Sequence, residues 1–432
     1  MNKKFNRAEM TNERGTVYAG RFSDFLIEEY NIVRIDGVLN LYKDGAYVKD
    51  NDDIERTMLR FFPEISSSKR MEVMKQIDLK APDYSGSENH DNLIVFNNGI
   101  YDIIKKKLMP CSKDYVLPNR IPWDYNPDAY CKDLDNLLDR VSDHDPEIRA
   151  LIEEMWGCCL KRSPDNVAFF LVGGASNGKS TIQSIGIKML GRQNVSSTDL
   201  RAFSTDKFAS ADLYGKIANI SDDISGEYIS DPSMFKSLTT GEYIRAQRKF
   251  GQPFDFAPYS TMVFSANRIP RVKDADGGVR RRMKIIPFKH VFSSKDKDYD
   301  PGIKNRILYG TDDCSAEEAM SYFINIALAG LDRVMNQGFT ESQHVNSAVE
   351  EYDHECNPIL DWCDEYLESH EDFLGESRAD VYFNYTLWAD HAGQKAMSQR
   401  AFSTFLCEKY DLVVKARWCN GKTARAFSIK EL

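Results

Sequence analysis

The chain has 432 residues and a formal net charge of −10, and 42% of its residues are hydrophobic. That length favours two or three domains, and the composition supplies apolar residues for a core in each. The acidic balance excludes a protein that coats nucleic acid without specificity, and leaves a local basic channel or one basic domain as the place for such a partner.

The first residues, "MNKKFNRAEMTNERG", are polar, with no apolar stretch behind them, so they predict a poorly ordered start over 1–20 and no secretory signal. From Ile32 to Val48 the pattern alternates apolar and polar, and the pairs Asp36-Gly37 and Asp44-Gly45 fall where tight turns belong. "LIVFNNGIYDI" (Leu93–Ile103) repeats the device, with Asn98-Gly99 as the expected turn. A helix is expected to open at Asp145, with Pro146 in its first position. Residues 21–160 therefore read as an α+β and helical module without a catalytic constellation.

Over 161–345 strand and helix signals alternate, which implies a mainly parallel α/β sheet. The expected elements are a buried strand (Val167–Val172), a helix ending near Gly191, a strand (Ile217–Ile220), a helix opened by Asp231-Pro232, strands at 261–266 and 283–288, and a long helix from Ala316 to Gln337. The charge then shifts. Asn346–Ser377 holds eleven acidic residues and no Lys or Arg, whereas Arg378–Leu432 holds nine basic residues against five acidic ones. A boundary is expected near 370–378, with 346–377 as an acidic helical connector. The tail reads helix (378–391), helix (398–409, opened by Ser398), strand (412–418), Asn-Gly turn (420–421) and strand (423–429), the outline of a winged helix over 378–432. Nine scattered cysteines, without a CxxC pair or zinc-ligand spacing, fit free thiols in a reducing cytoplasm. No window is long and apolar enough to span a membrane.

Gly173-Gly174-Ala175-Ser176-Asn177-Gly178-Lys179-Ser180, followed by Thr181, fits the phosphate-loop pattern G-x-x-x-x-G-K-[ST]. Small residues let backbone N–H groups converge on a polyphosphate, and the positive end of the next helix adds to the attraction. Lys179 is placed to reach the β- and γ-phosphates, and the Ser180 hydroxyl to join a Mg²⁺ shell. "KIANISDDIS" ends a strand in Asp222 and Asp223, which can hold Mg²⁺ through water and orient or deprotonate an attacking water. "TMVFSAN" ends in Asn267, a polar side chain suited to sit between the loop and the aspartates. Arg280, Arg281 and Arg282 stand just before a strand. An arginine suits the charge that builds on a transferring phosphoryl group, but three in a row on an extended chain cannot all face one way.

The ordered set "GGASNGKST", "GKIANISDDIS", "TTGEYIRAQRKFGQPFDF", "FSANRIPRV" and "DGGVRRRMKIIPF" resembles the superfamily-3 helicases, in the branch of phage and plasmid primase-helicases similar to the poxvirus primase-helicase. "VFNNGIYDI" followed by "IPWDYNPDAYC" looks like the N-terminal module of that branch, and the resemblance covers roughly residues 20–432. It implies an AAA+ P-loop fold in a ring, usually a hexamer, with ATP and Mg²⁺ between subunits. Lys179 and Ser180 then contact phosphate and metal, Asp222 and Asp223 form the Walker B pair, and Asn267 is the sensor. Arg282 or Arg281 reaches the neighbouring subunit's ATP. The strand–turn–strand "YIRAQRKFGQPFDF" (Tyr243–Phe256), with Arg248, Lys249 and Phe250 at its tip, becomes the hairpin that grips single-stranded DNA in the channel. A cation for a phosphate and an aromatic face for any base fit that task.

The resemblance also implies single-stranded and forked DNA as partners, a bacterial host cytoplasm, and a separate primase or other replication proteins. Many such relatives carry a primase domain ahead of this region. Here no zinc knuckle or polymerase-sized segment precedes the module, so primer synthesis is expected from a separate primase. In the winged-helix-like tail, Arg400 on the second helix and Arg417, Lys422 and Arg425 on the wing suit duplex DNA, and docking of another protein is the alternative for such a domain. The rival expectations are an origin-binding or loading ATPase that does not unwind processively, which the basic tail favours, and a compact small-molecule kinase, which that tail and the hairpin disfavour.

Overall fold

The alternation over Ile32–Val48 becomes three short antiparallel strands, β1 (Val33–Ile35), β2 (Val38–Lys43) and β3 (Ala46–Val48). Both Asp-Gly pairs have positive φ at both residues: Asp36 47°, Gly37 76°, Asp44 51° and Gly45 89°. That conformation defines the type I′ turn, whose twist matches a hairpin's. A two-residue β4 (Asp83–Tyr84) adds parallel to β1 and completes a sheet ordered β3-β2-β1-β4. Helices Ala19–Tyr30, Asn51–Phe61 and Ser67–Lys80 accompany it, around a core that includes Phe22, Met58 and Ile77.

A second meander follows, β5 (Leu93–Phe96), β6 (Gly99–Asp102) and β7 (Lys107–Met109). Phe96 pairs with Gly99, so the turn is Asn97-Asn98 rather than the expected Asn98-Gly99. Gly99 already belongs to β6, where a Cβ would lie 2.5 Å from the Met109 carbonyl oxygen.

The computed structural model describes residues 5–49, 51–84, 90–222, 224, 231–270, 277–295, 299–419 and 422–430. Its central feature is a five-stranded parallel sheet of β8 (Ala168–Val172), β9 (Val195–Ser196), β10 (Ala218–Ser221), β13 (Thr261–Ala266) and β14 (Met283–Pro287). The spatial order is β14-β8-β13-β10-β9, with every neighbouring pair parallel. The strands read as nearly continuous buried runs, as a sheet covered on both faces requires. A separate antiparallel hairpin, β11 (Ile244–Gln247) and β12 (Pro253–Phe256), leaves the chain between β10 and β13.

One core joins the sheet to the helices that precede and follow it, running from Ile94 to Val345. Helix Pro146–Cys158 is capped by the Asp145 side chain, which accepts from the backbone N–H groups of Glu147 and Ile148. It carries the fully buried Trp156 against Gly186 of helix Lys179–Leu190, where a Cβ would sit 2.0 Å from the indole. The module expected over 21–160 and the sheet thus form one unit, 1–348.

Residues 349–432 form the second unit. Its helices Ile359–Ser369, Arg378–His391 and Gln399–Lys409 precede β15 (Leu412–Cys419) and β16 (Lys422–Ile429), which pair antiparallel. The turn expected at 420–421 lies outside the described residues. Trp362 and Tyr366 share one face of the first helix and join Phe373, Phe402 and Phe427 in the unit's core. The acidic residues from Glu350 onward are therefore part of this unit, and the boundary falls between about twenty and thirty residues earlier than the charge shift alone suggested. Apolar spacing, not charge, decides which core a helix joins. Among the described residues, no helix is long and apolar enough to cross a membrane.

Candidate functional site

The parallel arrangement puts the C-terminal ends of β8, β13 and β10 side by side along one sheet edge. β8 ends at Val172, and Gly173–Gly178 connect it to helix Lys179–Leu190. Gly178 caps that helix with φ 85°, and Ser176 also has positive φ, at 59°. Asn177, 3% exposed, donates from Nδ2 to the Phe288 carbonyl at 2.9 Å and accepts from Lys179 Nζ at 2.9 Å. This clamp fixes the loop to the end of β14, and it requires glycine at 173. A Cβ there would stand 2.1 Å from Asn177 Nδ2 and 2.3 Å from the Phe288 oxygen. From the other side, the Phe292 N–H donates to the Ser176 carbonyl at 2.8 Å.

Lys179 is 7% exposed, and its ammonium also donates to the carbonyls of Gly173 (2.6 Å) and Gly174 (2.8 Å). Among the described residues, three oxygen acceptors face this ammonium and offset the cost of burying the charge. Gly174, Ala175, Ser176 and Ser180 are exposed, while Thr181 is half-buried. The loop thus presents an open backbone face with a cation folded into its base.

Asp222 follows the last residue of β10 and accepts a hydrogen bond from the Ser265 hydroxyl of β13. The register that pairs Ser221 with Phe264 brings these two side chains together. Asn267 comes directly after β13 and is exposed. Because β13 lies between β8 and β10, Asn267 ends the strand that separates the loop from Asp222. Asp223 lies outside the described residues. Gln183, buried on the helix after the loop, donates to the Ser221 carbonyl at 3.5 Å and ties that helix to the end of β10. The sequence reading did not pick out Asn177 as a clamp, or Gln183 and Ser265. Asn177 is one of the variable positions in the loop pattern, and the other two depend on strand order.

The three arginines stand at the opposite edge. Met283 pairs with Ala168, so Arg280–Arg282 precede β14 at the N-terminal end of the sheet. A strand of five residues spans about 17 Å, and that length separates them from the chain's own loop. They form one 3₁₀ turn rather than extended chain, because the chain tightens before entering the strand. Successive side chains still fan out, by about 120° in a three-residue turn. Arg282 donates from Nη1 to the Gly278 carbonyl at 2.6 Å, and Arg280 and Arg281 are exposed.

The β11–β12 hairpin pairs through Gln247 and Pro253 and turns over residues 248–252. Gly251 N–H donates to the Arg248 carbonyl at 2.9 Å, and Gln247 Nε2 to the Gly251 carbonyl at 3.1 Å. Phe250 is 97% exposed with φ 66°, and Lys249 Nζ lies 5.5 Å from its ring centroid. Arg248 does not project with them. Its guanidinium carbon lies 4.9 Å from the Phe254 ring and 5.4 Å from the Tyr214 ring.

Residues 6–157 match a family described as "D5 N terminal like", and residues 171–282 match a family of unknown function, DUF5906. The chain is 23% identical over 322 residues to "Putative helicase L207/L206" of Acanthamoeba polyphaga mimivirus, which covers 70% of this chain and 33% of that protein. It is 22% identical over 383 residues to "Putative helicase 184R" of Invertebrate iridescent virus 6, which covers 80% of this chain and 39% of that protein. The chain thus spans between a third and two-fifths of the length of these relatives. Among solved structures, the apo C-terminal region of NrS-1 superposes with a TM-score of 0.58 at 14% identity, over 96% of this chain and 98% of that one. At that identity the likeness concerns the fold alone. By sequence, this is a chain similar to viral proteins named as helicases. By fold, it is a mixed α/β chain with a parallel sheet, like the NrS-1 C-terminal region.

Proposed function

We propose that the chain is an ATP-dependent DNA helicase subunit of the superfamily-3, AAA+ type that works as a ring of six in replication of a virus, phage or related element. The observation that carries the reading is the division of groups between two edges of one sheet. The glycine loop, Lys179, Asp222 and Asn267 gather at one edge, and Arg280–Arg282 stand at the other. An arginine a strand's length from its own loop can serve hydrolysis only at a neighbouring subunit's site.

The residues at the first edge fit a nucleotide and its metal. The exposed backbone of Gly174–Ser176 and the helix N-terminus suit the phosphates of ATP. Lys179 would exchange its carbonyl partners for phosphate oxygens. The Ser180 hydroxyl and the Asp222 carboxylate are hard oxygen donors suited to Mg²⁺, which when bound neutralises charge on the phosphates. Asp223 would orient or deprotonate the attacking water, and Asn267 would hold that water between loop and carboxylate. Arg281 or Arg282 would stabilise charge at the adjoining subunit's phosphate. Lys249 and Phe250 would hold single-stranded DNA, a cation on phosphate and a ring against a base.

The test is DNA-stimulated ATP hydrolysis and displacement of a labelled strand from a forked duplex, with the protein sized in ATP analogue and DNA. Hydrolysis and displacement by an oligomer are expected, and both should fall about a hundred-fold or more in Lys179→Ala. Full DNA-stimulated hydrolysis by that variant would end the reading. An ATPase that loads or remodels another replication protein is the second reading. The basic hairpin of the C-terminal unit favours it, with Lys415, Arg417 and Arg425 exposed on a winged-helix-like outline. Hydrolysis by an oligomer without strand displacement would support it.

A further inference from the structure

The N-terminal strands bring a cation to the base of the hairpin. Lys49 follows β3, and its Nζ lies 5.9 Å from the centroid of Tyr214, the ring that Arg248 also covers. The Tyr214 hydroxyl donates to the Ile35 carbonyl at 2.7 Å, which fixes this ring to the N-terminal sheet. Lys216 stands two residues on and lines two adjacent grooves. One, of about 700 Å³, is also bounded by Lys43, Lys49 and Arg120. The other, of about 760 Å³, is bounded by Arg192, Arg248 and Lys249. The grooves meet at Lys216 and run from the N-terminal strands to the hairpin tip.

Among the described residues, Lys49, Lys216 and Arg248 form no ion pair with a carboxylate, whereas Lys43 pairs with Asp53 at 2.7 Å and Arg120 with Asp44. Burial first, then Arg248 and Lys216, holds the Lys49 ammonium below its usual pKa. Burial and Arg192 do the same for Lys216, with Asp212 opposing. Most acids lining the grooves are committed locally. Asp44 pairs with Arg120 at 3.6 Å, Asp199 accepts from the Arg201 N–H at 2.8 Å, and Asp206 from the Phe208 N–H at 2.9 Å. Asp36 is half-buried, and burial raises its carboxyl pKa. An ammonium desolvated beside other cations and not ion-paired to a carboxylate costs free energy that a bound anion would recover.

We propose that Lys49, Lys216 and Arg248 form a site for phosphodiester groups of the DNA strand held at the hairpin tip, which makes the N-terminal strand module part of the nucleic-acid grip. The inference rests on the reading of the hairpin as a DNA contact. It gives the module a binding role that its own sequence does not reveal. Arg248 acts at the root of the hairpin and Lys249 at its tip, so neighbouring residues serve successive stretches of one strand.

The test is anisotropy of a fluorescein-labelled thymidine oligonucleotide with the full chain, Mg²⁺ and a non-hydrolysable ATP analogue, across a salt series. Lys49→Ala is expected to weaken binding about tenfold and to lower the slope of log affinity against log salt by about 0.7, the loss of one single-strand phosphate contact. Lys49→Arg should retain both, and equal thermal midpoints would show that Lys49→Ala is folded. Unchanged affinity and slope in Lys49→Ala, while Lys249→Ala binds weakly, would overturn the inference and spare the hairpin reading. No binding by the unaltered chain would overturn both. Inorganic phosphate that binds through Lys49 without competing with the oligonucleotide would assign the site to a free anion and overturn the DNA assignment.

Discussion

The glycine loop and the hairpin tip both hold a non-glycine residue in left-handed backbone, and they justify it in opposite ways. Ser176 has φ 59° in a loop tied on both sides, by Asn177 to the Phe288 carbonyl and by the Phe292 N–H to its own carbonyl. Phe250 has φ 66° at a tip where its ring touches almost nothing. The first conformation is held by packing around it. The second gains nothing from burial, and an apolar ring in water at a strained position is a cost the folded chain alone does not explain. On the proposed function, the contrast is between a nucleotide site built rigid before its ligand arrives and a DNA contact that waits for a ligand to cover it.

The largest expected effect tests whether the rigid site is complete within one subunit. Arg281→Ala or Arg282→Ala should lower ATP hydrolysis about a thousand-fold, the usual magnitude for a finger arginine. Mixing the inactive arginine variant with Lys179→Ala should restore part of the activity, because some interfaces then carry an intact lysine from one subunit and an intact arginine from the other. A mixture as inactive as its components would place the arginine outside any shared site. Lys179→Ala alone should lower hydrolysis about a hundred-fold or more, since it removes the one buried cation of the loop. Gly173→Ala should cost about 1–3 kcal/mol of stability in a denaturant melt, because its Cβ would enter the Asn177–Phe288 hydrogen bond. An unchanged midpoint there would mean that the clamp is looser than its 2.9 Å contact implies.

Much of this contrast was legible in the sequence, because its signals are local. Small residues before Lys179, Asp-Gly pairs at the turns of β1–β3, and apolar runs for β8 and β13 each carry their own evidence. What stayed hidden depends on partners far along the chain. The parallel pairing of β4 with β1 spans some fifty residues and leaves no pattern in two residues of strand. Gly99 looked like a turn residue, yet its lack of a side chain serves the approach of β7. Arg248 looked like a tip residue, yet Tyr214 and Phe254 draw it back to the root of the hairpin. The placement of Arg280–Arg282 at the far end follows from their position just before β14 in a parallel sheet, which the sequence showed, whereas the pairing of β14 with the loop's own strand β8 was not legible there.

The smallest effects fall on the tip, and they sharpen the comparison most. Lys249→Ala should reduce the salt slope of single-strand binding by about 0.7 with no loss of thermal stability, since the side chain is exposed. Phe250→Gly sets the two halves of the argument against each other. Glycine adopts positive φ without a Cβ penalty, so the folded state should be relieved by up to about 1 kcal/mol, partly offset by the greater freedom of an unfolded glycine. The same change removes a stacking face and should weaken oligonucleotide binding by about 1–3 kcal/mol. A variant that melts no lower and binds DNA less well would show the ring is kept for its ligand. A variant that loses stability while binding stays whole would mean the ring packs against something other than DNA, and the tip would then resemble the loop.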